Sequence, residues 1–173
     1  MNARIIPTVR RVSLAVVPFA LCLILVLFEA LPFSIPHFGS VTPLFSLMAV
    51  FFWCIYRPDF LPPYTIFLIG LLHDALGGGP LGLTALLLLL VHAFIVHQRR
   101  VFHGKSFVIE WFGFSIVAIG FGTIAWVVAS IYYIMPMQPA PVIGQVGLSI
   151  ALYPCIAWTI NKVHRRLVRR EAL

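Results

Sequence analysis

The stretch Ile69-Gly70-Leu71-Leu72-His73-Asp74-Ala75-Leu76-Gly77-Gly78-Gly79-Pro80-Leu81-Gly82-Leu83 sets one carboxylate and a glycine-proline break between two apolar runs. A carboxylate inside an apolar segment costs about 2.5–3.5 kcal/mol on membrane-insertion scales, so Asp74 needs a compensating environment. Two readings of it are open. In one, Asp74 accepts hydrogen bonds from backbone N–H groups of the 77–79 turn or of the next helix start, and so organises a break in the membrane. In the other it is a ligand or proton site, with His73 and His92 of the same hairpin as its partners. A metal would require a third and preferably a fourth ligand, and no spacing supplies one. Gly77, Gly78 and Gly79 lack the Lys-Ser/Thr of a phosphate-binding loop and follow no strand. Glycine here permits a tight turn with positive φ and a close approach of helices.

Outward from this break lie six apolar runs, at about 13–33, 41–56, 60–76, 81–96, 107–133 and 142–160. Hydrophobic residues make up 61% of the 173 residues and charged residues 10%, with a mean hydropathy of +1.03. Soluble domains are about 45–50% apolar and about 25% charged, so a soluble globular enzyme is excluded. A spanning helix takes about 20 residues, and six of them leave roughly 50 for loops and tails. The expected fold is therefore an all-α integral membrane protein, a single domain over 1–173 built as a polytopic bundle of six transmembrane helices. The fourth run, with its 16 or so residues, makes about 24 Å of helix against a hydrocarbon core of ~30 Å. The third is interrupted by Pro62, Pro63 and Asp74. Runs three and four thus read either as two full spans or as a re-entrant hairpin entering from the cytoplasmic side.

The net charge is +7, from 12 Lys and Arg against 5 Asp and Glu. Three basic residues lie in the N-terminal tail, one at Arg57, three in the 99–105 loop and five in the C-terminal tail. The alternate connections, 34–40, 77–80 and 135–141, carry none. The positive-inside rule then places both termini in the cytoplasm, and the charge is no sign of nucleic-acid binding. The segment 8–14, with Arg10 and Arg11, has a faint twin-arginine look. The span after it is longer than a signal h-region and precedes five more apolar runs, so it reads as a retained first helix.

Other residues carry weaker signals. Glu29 and Glu110 fall near the ends of their runs, where interfacial water is within reach. Cys22, Cys54 and Cys155 sit singly in separate runs and read as small buried hydrophobes. Ala118, Gly122, Ala125 and Ala129 share one face of the fifth run, a helix-packing surface either within the chain or toward a partner. Neither a nucleophile elbow nor a pair of suitably spaced carboxylates is present. The chain is expected not to be an enzyme and to need no cofactor or metal.

The segment 69–83 resembles the signature region of the bacterial rod shape-determining membrane protein MreD family: G-L-hydrophobic-x-D, a small-residue turn, then P-L-G and an apolar helix. Gly70, Asp74, Pro80 and Gly82 occupy the characteristic positions, while His73 and the triple glycine look like local variation. The flanks at Tyr56-Arg57-Pro58, Leu61-Pro62-Pro63 and Arg99-Arg100 fit as well. The resemblance implies a non-enzymatic component of the cell-elongation machinery in the bacterial inner membrane. It implies MreC as partner and, through it, the actin-like shape protein and the peptidoglycan-synthesis enzymes. It also implies an architecture similar to the substrate-binding subunits of energy-coupling-factor transporters. A substrate-binding subunit of a vitamin-type transporter, with Asp74, His73 and His92 lining a cavity, is the rival expectation.

Overall fold

The structure, a computed structural model, describes residues 18–30, 34–35, 39–40, 42–102, 106–134 and 138–171. The tail bearing Arg4, Arg10 and Arg11, and the first residues of the 13–33 run, lie outside the described residues. Six α-helices follow one another: α1 Pro18–Glu29, α2 Phe45–Tyr56, α3 Pro63–Gly77, α4 Leu83–Phe102, α5 Phe107–Tyr132 and α6 Ala140–Glu171. A 3-10 turn, Pro58–Phe60, links α2 to α3. Between α1 and α2 a two-residue antiparallel ribbon pairs β1 (Ser34–Ile35) with β2 (Gly39–Ser40). The all-α expectation holds apart from that ribbon.

Two helices outrun the apolar segments that announced them. α4 continues through residues 98–102, part of the stretch 98–106 read from sequence as a basic loop, and α6 continues past Ile160 to Glu171. Gln, Lys and Arg are good helix formers, so the helix does not stop where hydropathy stops. With 20 residues α4 is about 30 Å long, the thickness of a hydrocarbon core. The apolar part of that helix, Leu83–Gln98, keeps the short length of the fourth run.

The innermost helix is α2. All of its residues from Ser46 to Ile55 are buried, and it packs against α3, α4, α5 and α6. A helix that is apolar all round belongs in an interior. The surrounding helices invert the pattern of a soluble protein. Tyr64, Leu68, Leu90, Phe112, Ile116 and Ile131 all point outward. Such a surface suits lipid, since soluble monomers rarely expose large contiguous apolar patches. α5 and the 140–162 part of α6 are long and apolar enough to cross a membrane.

Close approach depends on two glycines. A Cβ on Gly70 would fall on the backbone of Ala85, so α3 and α4 touch main chain to main chain there. A Cβ on Gly122 would lie 2.5 Å from Val146 Cγ2, which sets the α5–α6 contact. Ala118 and Gly122 are buried and Ala125 packs on the core. The inner half of the small-residue face of α5 is turned into the chain's own bundle, while Ala125 and Ala129 also line a cavity beside Val142 and Gln145 of α6. Cys22 and Cys54 are buried as expected, but Cys155 lies on an exposed face of α6.

α6 contains Pro154, which cannot donate to the carbonyl four residues earlier. That carbonyl belongs to Ile150, and it accepts instead from the indole Nε1 of Trp111 on α5, at 2.9 Å. An acceptor freed by proline inside a membrane needs such a replacement. Helical Ser115, Thr123 and Thr159 satisfy their hydroxyls on the carbonyl four residues back.

Candidate functional site

Asp74 lies in the last turn of α3, beside the start of α4. Its Oδ2 accepts from the backbone N–H of Gly82 at 2.8 Å and Ala85 at 3.4 Å, and the N–H of Thr84 lies 3.1 Å from both carboxylate oxygens. The first N–H groups of a helix have no partner within it. Gly82, at the α4 entrance with φ +92, has no side chain to serve them. The carboxylate of α3 does so instead, held by the positive end of the α4 dipole. Asp74 is only 5% exposed, so the cap is shielded from water. Of the two readings open from sequence, the next-helix cap is the one seen.

The turn between these helices uses its glycines unequally. Gly78 ends α3 in the left-handed conformation at φ +67, as a helix C-terminus favours. Gly77 is still helical, and neither Gly77 nor Gly79 has an atom within 4 Å of a would-be Cβ. The carbonyl of Pro80 accepts from Leu83 N at 3.2 Å and begins the turn into α4.

A second carboxylate repeats the device. Glu29, ending α1, accepts from Ser46 N in the first turn of α2, at 2.9 Å through Oε2. Ser149 Oγ of α6 accepts from Leu44 N at 2.9 Å and donates to the Gln145 carbonyl at 2.6 Å. His73 lies between the two carboxylates, with Nε2 3.1 Å from Glu29 Oε1 and Nδ1 3.9 Å from Asp74 Oδ1. His92 does not join them. It is seven residues beyond Ala85 along α4, a rise of about 10 Å, and no hydrogen bond or ion pair ties it to Asp74 among the described residues. The His73–Asp74–His92 grouping of the ligand reading does not form; Glu29, His73 and Asp74 come together instead.

At the other end of the bundle Glu110 accepts from two tyrosines, Tyr56 Oη of α2 at 2.9 Å and Tyr153 Oη of α6 at 2.5 Å. Tyr153 stacks on Phe114, with centroids 4.2 Å apart. Glu29 and Glu110 were expected to reach interfacial water; both are buried, at 5% and 7% exposure. Their partners lie 17 to 54 residues away, and a lone tyrosine or a backbone N–H carries no spacing signature. Glu110→Ala would leave the buried Tyr153 hydroxyl and the half-buried Tyr56 hydroxyl without their acceptor and is expected to destabilise the bundle by about 2 kcal/mol. Tyr56→Phe, which removes one donor, is expected to cost about 1 kcal/mol. Unfolding of the detergent-purified variants measures both.

Every buried carboxylate described here joins helices, and Asp74 does so at the centre of the glycine-proline break. The sequence model of one protein family, described as rod shape-determining protein MreD, matches residues 9–167. The chain belongs to the MreD family. The match takes in Gly70, Asp74, the 77–82 turn and both buried glutamates. No curated protein and no solved structure matches the chain. MreD membership assigns it to rod shape determination in a membrane, and lends no support to the transporter-subunit reading.

Proposed function

We propose that the chain is a non-enzymatic inner-membrane scaffold of the cell-elongation machinery, supporting lateral peptidoglycan synthesis by binding MreC. Through MreC it would meet the actin-like shape protein and the synthesis enzymes. The observation that carries the reading is the use made of Asp74: its carboxylate is taken up in capping α4. Glu110 is likewise taken up by tyrosines. Polar groups committed to holding helices suit a scaffold better than a reaction centre. Since Gly122 packs on Val146 of α6, a partner helix would meet the outward apolar side chains or the loops. The basic loops and tail supply contacts to anionic lipid or to an acidic cytoplasmic partner.

In this reading the six helices cross the membrane up and down, with both termini in the cytoplasm. The architecture is similar to that of energy-coupling-factor substrate-binding subunits. Gly78→Cys, with Cys22, Cys54 and Cys155 replaced by Ala, is expected to react with an impermeant thiol reagent added from outside. Failure to react would replace the two full spans with a re-entrant hairpin. Depletion of the chain is expected to round the cells; rods of normal shape after depletion would sink the proposed role.

A further inference from the structure

Where α2 ends and α5 begins, beside α6, a cavity of about 210 Å³ opens between Phe52, Tyr56, Phe107, Glu110, Trp158 and Asn161. The sequence sets its level in the bundle. Tyr56 is the last residue of α2, Phe107 is the first of α5, and the apolar part of α6 stops at Lys162. Three apolar helices thus change over to polar chain around one cavity, which in a membrane is the level of the lipid head groups. Tyrosine and tryptophan gather there because their rings are apolar and their tips wet.

The polar wall of the cavity is Glu110, 7% exposed. Its two oxygens accept from the phenols of Tyr56 and Tyr153, so neither oxygen is bare. Phenols are neutral and leave the charge itself uncompensated. Among the described residues no Lys, Arg or His forms an ion pair with Glu110. Each carboxylate oxygen also keeps a second lone-pair site for an N–H donor. Four of the remaining walls are aromatic rings, whose negative faces attract cations. One of these rings already holds one: the Lys162 ammonium lies 3.4 Å from the Trp158 ring centroid. The rim therefore carries a positive charge and the interior a negative one.

A zwitterion at head-group level complements that pair of charges. We propose that the cavity binds the head group of an ethanolamine phospholipid. The primary ammonium enters among the rings and donates to Glu110, the phosphate stays at the mouth beside Lys162, and the acyl chains lie along the apolar outside of the bundle. A choline head group has no N–H to give the carboxylate. An anionic glycerol head group brings no cation for the rings and is repelled by Glu110. The inference does not depend on the scaffold reading.

The test adds phosphatidylethanolamine, phosphatidylcholine and phosphatidylglycerol with identical acyl chains, in equal amounts, to the delipidated full chain in maltoside micelles. Native mass spectrometry then counts the lipid retained. The ethanolamine lipid is expected to be held about tenfold more tightly than either of the others. Glu110→Gln keeps an acceptor for one tyrosine but removes the charge, and is expected to erase the preference. Trp158→Leu changes an outward ring, 62% exposed, and leaves the tyrosine–glutamate bonds in place. It is expected to lower retention of the ethanolamine lipid several-fold with the fold intact, so the test survives a misfolded Glu110→Gln. Equal retention of the three lipids by the wild-type chain, retention of none, or a preference that either folded variant leaves undiminished would overturn the proposal.

Discussion

Asp74→Ala is expected to cost the bundle about 3 kcal/mol, since it leaves several shielded α4 N–H groups without an acceptor at once. A single exposed cap costs typically about 1 kcal/mol. Here the carboxylate serves Gly82, Thr84 and Ala85 together from a 5% exposed position. Three kilocalories is roughly a hundredfold in the folded-to-unfolded ratio. Asp74→Asn keeps a carbonyl oxygen but loses the charge that the helix dipole favours, so it is expected to lose about half as much. Unfolding in mixed micelles gives the difference, and membrane levels of the variants give its consequence in cells. If Asp74→Asn and Asp74→Ala both leave stability, level and cell shape unchanged, the cap is not what holds this hairpin.

Gly70→Leu is expected to be at least as severe. The new Cβ alone would sit on the Ala85 backbone, and backbone in a helix cannot step aside as a flexible side chain can. Overpacking of this kind costs about 1–3 kcal/mol in soluble cores and sometimes more. A forced separation of α3 from α4 would also pull Asp74 from its three amides. Gly77→Ala and Gly79→Ala add a Cβ into open space at ordinary φ and are expected to stay within about 0.5 kcal/mol of wild type. Thermal unfolding of the three variants side by side checks the contrast. Equal losses at Gly70 and Gly79 would mean that the α3–α4 approach is not set by the missing side chain.

Much of this was legible in advance because membrane proteins write their architecture in hydropathy. The six apolar runs became six helices, and the lone carboxylate beside a glycine-proline break became the cap of the following helix. The helix ends of α4 and α6 were not legible. Hydropathy records where the lipid ends, while helix propensity carries Gln98, Arg99 and the 162–171 segment onward. The small-residue face of α5 was found, but not what it packs on, since packing partners such as Val146 leave no local trace. Least visible were the long-range polar pairs. Glu29 with Ser46 N, Glu110 with Tyr56 and Tyr153, and Trp111 with the carbonyl orphaned by Pro154 join positions 17 to 54 residues apart. Proline inside an apolar run does announce an orphaned acceptor four residues earlier. Which side chain answers it is decided by the fold.

The scaffold account is tested most directly by affinity purification of the full chain from membranes in a mild, non-denaturing detergent. The account predicts that MreC co-elutes with the wild-type chain and is lost with Gly70→Leu, whose bundle no longer closes. A wild-type chain that elutes folded and free of MreC, from cells that contain MreC at normal levels, would contradict it.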